Sequence, residues 1–172
     1  IISREDGSGT RGAFVELFGV EKKNNAGQKE DYTSIEASIT NSTAVMMTSV
    51  ASDEYAIGYI SLGSLNDSVK ALKIDGAEAT AENIKNGTYK IYRPFSIATK
   101  GALNEISQDF VDYILSKDGQ KIVEASGFIS ASDADAYAGK KPSGKIVVAG
   151  SSSVTPVMEK LKEAYLKVNT NA

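Results

Sequence analysis

The residues best equipped for chemistry sit within the first fourteen positions, where residues 3–14 read SREDGSGTRGAF. Arg4 offers a guanidinium, Ser8 and Thr10 offer hydroxyls, and Gly7, Gly9 and Gly12 leave the backbone bare enough to approach a ligand closely. Phe14, Val15, Leu17 and Phe18 follow at helical spacing and Gly19 is placed to stop the helix, so residues 8–18 are expected to be a short amphipathic helix. The glycine turn then lies at a helix N-terminus, where unpaired N–H groups and the positive end of the helix dipole attract an anion.

Three readings of this turn stay open. The glycines satisfy G-x-G-x-x-G, which raises a dinucleotide site. Such a site needs an acidic residue about 20 positions on, at the end of a second strand. Glu30 and Asp31 are near that distance, but KKNNAGQKED around them reads as a solvated loop. A phosphate-binding P-loop fares worse, because no Lys-Ser or Lys-Thr pair follows the glycines. The second reading is a helix start that holds nothing. The third, which uses most of the donors, is a small oxyanion held by Arg4, Ser8, Gly9 and Thr10.

Composition removes several kinds of chemistry. The 172 residues contain no His, so a Ser-His-Asp arrangement cannot be built, and no Cys, so disulfides and thiolate metal sites are excluded. Neither Ser-x-x-Lys nor G-x-S-x-G occurs. Nothing in the chain calls for a metal or a cofactor. A net charge of −3, with 19 Lys and Arg interleaved among 22 Asp and Glu, argues against a nucleic-acid surface. No apolar run approaches the ~20 residues of a membrane span. No secretory leader opens the sequence, so the expectation is a cytosolic protein or one whose leader has been removed.

The elements that must position the turn are those of an α/β chain. After the first helix, NSTAVMMTSVASDEYAIGYISLG reads as a helix through Val45, Met46 and Val50, with the paired methionines read as core filling, then a turn, then a strand around residues 56–62. VKALKIDG reads as a strand closed by Asp75-Gly76, TAENIKNG as one helical turn capped by Thr80, and YKIYRPFSIATKG as an extended run around Pro94. Leu103, Ile106, Phe110 and Ile114 mark a helix, and a further one begins near Asp118. Residues 130–145, SASDADAYAGKKPSGK, have a linker composition. The pattern then restarts: KIVVAG as a strand, SSSVTP as a hydroxyl-rich turn, and VMEKLKEAYLKV as an amphipathic helix with Thr155 as candidate N-cap and Pro156 at the first helical position. Strand, small-residue turn and helix thus occur twice. Ser151, Ser152 and Ser153 make the later turn a second candidate for an anion, with plain helix capping as the alternative.

These stretches, together with AIGYISLG and FVDYILSKDGQKIVEASGF, resemble the phosphate-binding proteins of bacterial ABC phosphate importers. The resemblance implies a type II periplasmic-binding-protein-like fold with incomplete lobes, and no catalysis. It implies inorganic phosphate as ligand and an ABC transporter permease as partner. It also implies an extracytoplasmic location, periplasmic or membrane-anchored as a lipoprotein. Position by position, Arg4, Ser8, Gly9 and Thr10 match the family's phosphate ligands in the second lobe, and Ser152 and Ser153 match the first-lobe turn. The order departs from the family pattern, in which GSSSVTP opens the chain and SREDGSGTR comes mid-way. A fragment, a tandem unit or a permutation each fit, and the abrupt IIS start favours a fragment. The family's phosphate-binding Asp, in a following Asp-Ile-Gly motif, has no counterpart here, which puts selectivity over sulfate in question.

The expected organisation is a second-lobe phosphate-binding domain over 1–92, a return strand and helices over 93–129, a linker over 130–145 and a first-lobe strand-turn-helix over 146–172. An isolated strand-helix pair cannot bury its own apolar face, so the last segment is expected to pack on the rest of the chain or to self-associate with another copy. Two other function classes remain beside phosphate binding: an α/β enzyme domain using a dinucleotide or phosphate cofactor, and a structural or interaction module whose turns only cap helices.

Overall fold

The computed structural model describes residues 1–131 and 134–172 and is mixed α/β. The chain forms two compact units, one of residues Ile1–Pro94 with Ser151–Ser153, the other of Phe95–Gly150 with Val154–Ala172.

The first unit is built on β1 (Ile2–Arg4), whose three residues are all buried. After a turn comes α1 (Gly9–Leu17), capped by Ser8, whose hydroxyl accepts from the Arg11 N–H. The turn needs Gly7, which sits at φ 81°. Next come β2 (Glu21–Lys23) and β3 (Lys29–Asp31), an antiparallel hairpin. KKNNAGQKED is therefore a hairpin instead of a loop. Asn24 folds its tip by accepting from the Ala26 and Gln28 N–H groups, and its exposed charged strands carry no apolar alternation that could announce them. Strand β4 (Ser38–Thr40) then pairs parallel with β1, with Arg4 opposite Thr40, and leads into α2 (Thr43–Ala51). Both α1 and α2 pack on β1, and Met46 and Met47 are buried as core. The later helical turn, α3 (Ala81–Lys85), is capped by Thr80 as its sequence predicts.

The expected strand at 56–62 does not form. Ile2 N–H does reach the Ile57 carbonyl at 2.9 Å, but the Arg4 N–H is taken by the Tyr59 hydroxyl, so the ladder stops after one bond. At 69–76 pairing is likewise limited to a single bridge, Ile74 with Ala77, around the Asp75-Gly76 turn.

In the second unit α4 (Glu105–Leu115), α5 (Lys117–Ala125) and α6 (Thr155–Val168) pack around Phe110, Tyr113, Ile114, Val157, Leu161 and Tyr165. Ser116 ends α4 and caps α5 at once. The chain enters α6 one residue earlier than expected: Thr155 is its first residue and Val154 holds the cap position. No strand forms at residues 146–150, and Val147 is 83% exposed. An apolar run becomes a strand only where it pairs with an edge, and among the described residues 146–150 pair with none.

Two residues of the expected linker, 132 and 133, lie outside the described residues. The described remainder of 130–145 carries no helix or strand, yet it is bonded down. Tyr137 donates its hydroxyl to Asp109 at 2.5 Å, the Lys140 N–H bonds the other Asp109 oxygen, and Asn169 donates to the Pro142 carbonyl.

Candidate functional site

The site grows from the end of β1. Arg4 is the last residue of a buried strand and is itself 2% exposed. A guanidinium out of water must have its donors satisfied. Glu5 grips one edge of the fork, with Nε to Oε2 at 2.8 Å and NH2 to Oε1 at 3.0 Å. These bonds from Arg4 hold the Glu5 carboxyl below its ordinary range. The other edge faces hydroxyls: NH2 donates to Ser152 Oγ at 3.1 Å and NH1 to Thr43 Oγ1 at 3.4 Å. The Thr10 and Ser153 hydroxyls are in direct contact, and a Cβ on Gly9 would touch Ser151 at 3.4 Å.

Of the sequence-derived candidates, Arg4 and Ser152 meet directly, and Thr10 meets Ser153. Ser8 serves as the cap of α1, which leaves its own O–H free to donate, and Gly9 is the first residue of that helix. The two small-residue turns, read separately in the sequence, are thus one cluster within the first unit. Every side chain of the cluster except Glu5 is a donor or a hydroxyl. An oxyanion is the ligand such a set can satisfy, because each of its oxygens accepts more than one hydrogen bond.

Two participants were not foreseen. Thr43 is the first residue of α2, and it comes to Arg4 because β4 runs parallel to β1; the only local signal was the small-residue helix start NST. Glu5 is adjacent to Arg4 in sequence, but nothing in its position shows that it turns back on its neighbour. The glycine pattern, by contrast, dissolves. Only Gly7 has a conformation that demands glycine, while a Cβ on Gly12 would meet open space instead of a closely packed strand. Asp31, the nearest thing to a ribose ligand, is engaged by Arg11 at 2.7 Å and by Thr33.

Comparison with known proteins follows the same line. The family model for the PBP superfamily domain matches residues 1–118. The phosphate-binding protein PstS 2 of Streptococcus agalactiae is 65% identical over 170 residues, covering 98% of this chain and 58% of that protein. One alignment therefore runs through both turns in the order found here. A crystal structure of a phosphate ABC transporter phosphate-binding protein from Streptococcus pneumoniae superposes with a TM-score of 0.79 at 47% identity, over 99% of this chain and 66% of that one. A phosphate-bound substrate-binding protein structure from Clostridium perfringens gives 0.65 at 40% identity, over 76% of this chain and 51% of that one. The chain thus spans under two thirds of the length of these relatives. A buried arginine at the end of a parallel strand, a helix opening beside it, and a family match that runs from Ile1 through both strands of that pair lead to one conclusion: the chain belongs to the PBP superfamily.

Proposed function

We propose that this chain holds inorganic phosphate, as part of the extracytoplasmic solute-binding component of an ABC phosphate importer, and that it has no catalytic role. The observation that carries the reading is the Arg4 guanidinium: it is buried, braced on one edge by Glu5, and bonded on the other to the hydroxyls of Ser152 and Thr43. The similar proteins whose names specify phosphate support the choice of ligand. Partnership with a permease follows from the same importer reading. No helix among the described residues is long and apolar enough to cross a membrane.

The site works by convergence. A charge-assisted hydrogen bond contributes about 1.5–3 kcal/mol, whereas micromolar affinity requires about 8 kcal/mol, so several donors must act on one ion. Proposed donors are the Arg4 fork, the Ser8, Thr10, Ser152 and Ser153 hydroxyls, and the N–H groups of Gly9 and Thr10 at the start of α1. Arg4→Lys keeps the charge but loses the planar fork, and is expected to weaken phosphate binding at least about tenfold. Thr10→Val removes one donor and is expected to cost about threefold to tenfold. Titration calorimetry of wild type and both variants with phosphate checks this. Equal affinity in all three would remove the assignment, and a preference for NAD over phosphate would move the site to the dinucleotide class.

A further inference from the structure

We infer that Thr43 is a further phosphate ligand, contributed by a third chain segment; this rests on the phosphate reading above. Adjacent parallel strands present their carboxyl ends on one edge of a sheet, and ligands of α/β proteins bind at such edges, where the following helices begin. Here β1 and β4 are parallel neighbours with Arg4 opposite Thr40, and each is followed within a few residues by a helix, α1 at Gly9 and α2 at Thr43. Whatever occupies the first turn is therefore bordered by the second. Among the first-turn N–H groups of α2, Ser42 caps that of Val45.

Thr43 is unusual for a residue at the start of a nine-residue helix in being only 8% exposed. Its hydroxyl lies 3.4 Å from Arg4 NH1 and 3.4 Å from Ser152 Oγ. Both separations are long against the 2.7–3.0 Å usual for good hydrogen bonds. A hydroxyl that accepts from the guanidinium keeps its own proton to donate, and its rotor can aim that proton at a third group. An oxyanion seated among Arg4, Thr43 and Ser152 takes short bonds from all three in place of two stretched ones.

The test is titration of inorganic phosphate into the 172-residue chain as wild type, Thr43→Val, Thr43→Ser and Arg4→Lys. Valine keeps the shape and deletes the hydroxyl; serine keeps the hydroxyl and deletes the methyl. A ligand role predicts a Kd raised about tenfold in Thr43→Val and within about twofold of wild type in Thr43→Ser, with melting temperatures near wild type in both. If Thr43→Val does not fold, Thr43→Ala carries the same expectation. The inference is overturned if Thr43→Val binds as wild type does, or if Thr43→Ser loses as much, which marks a packing methyl. Loss in Arg4→Lys with none in Thr43→Val removes Thr43 alone. No phosphate binding by wild type, or none lost in Arg4→Lys, removes the phosphate reading and Thr43 with it.

Discussion

Arg4 and Glu5 are neighbours in the chain, yet they behave as a preassembled pair. Arg4 is buried while the Glu5 carboxylate is 36% exposed, and the bond does two jobs: it satisfies one edge of the fork and fixes which edge is left for a ligand. The Glu5 carboxyl is held below its ordinary range by the bonds from Arg4. A carboxyl lowered on folding contributes stability above its unfolded value, about 4.3 for Glu, and that contribution is lost as pH falls through the lowered folded value. Glu5→Gln is therefore expected to melt below wild type at neutral pH, with the two melting curves converging in acid as the wild-type carboxyl protonates. Melting temperature against pH checks it; a gap that persists unchanged into strong acid would show that the carboxylate charge is irrelevant.

The helices owe their ends to local chemistry and their stability to packing. Ser8, Ser42, Thr80, Asn104 and Ser116 each accept from an N–H three residues on, within one turn of the chain. What holds α6 in place is different in kind. Leu161 and Tyr165 are each 2% exposed in the core shared with α4 and α5, and the Tyr165 hydroxyl donates to Asp109 at 2.7 Å while accepting from Asn169. Asp109 also receives Tyr137 and the Lys140 N–H, so one buried carboxylate ties α4, α6 and the segment before residue 145 together. Burial, joined by Asp109, raises both phenols above their ordinary range, so they remain donors through neutral and mildly alkaline pH. Leu161→Ala leaves a cavity and is expected to cost about 2–5 kcal/mol. Tyr165→Phe leaves Asp109 and Asn169 with their other partners and is expected to cost about 1–3 kcal/mol. Urea denaturation of both variants should rank them in that order; the reverse would mean that the polar network, not the apolar core, carries this unit.

At the scale of the whole chain, the long connection between the two candidate turns matters most: Arg4 and Ser152 are 148 positions apart and 3.1 Å from each other. Ser152→Ala should therefore weaken phosphate binding about tenfold, the loss of one bond to a charged donor. Ser143→Ala, at an exposed position of the same sequence region, should leave binding unchanged. Equal titration curves for the two variants would separate Ser152 from the site. Much of the rest was legible in the sequence. The turn at Gly7, the helices around Phe110 and Leu161 and the all-donor character of the first turn depend on contacts a few residues apart, so residue types and spacing suffice to state them, whereas Ser8, read as the first helical residue, is the cap of α1. The absence of His and Cys also bounded the chemistry without any coordinates. The strands were not legible in this way. The runs at 56–62 and 146–150 have strand composition and form no ladder, while the charged stretch at 21–31 forms a hairpin, because a strand exists only through an edge supplied from elsewhere. The tertiary structure alone decided that Thr43 joins Arg4, and it supplied the direct contact between Arg4 and Ser152, two residues that the family resemblance had only implied as ligands of one ion. Such a cluster is fixed by the parallel pairing of β1 with β4 and by closure of a loop nearly the length of the chain, and no local propensity records either event.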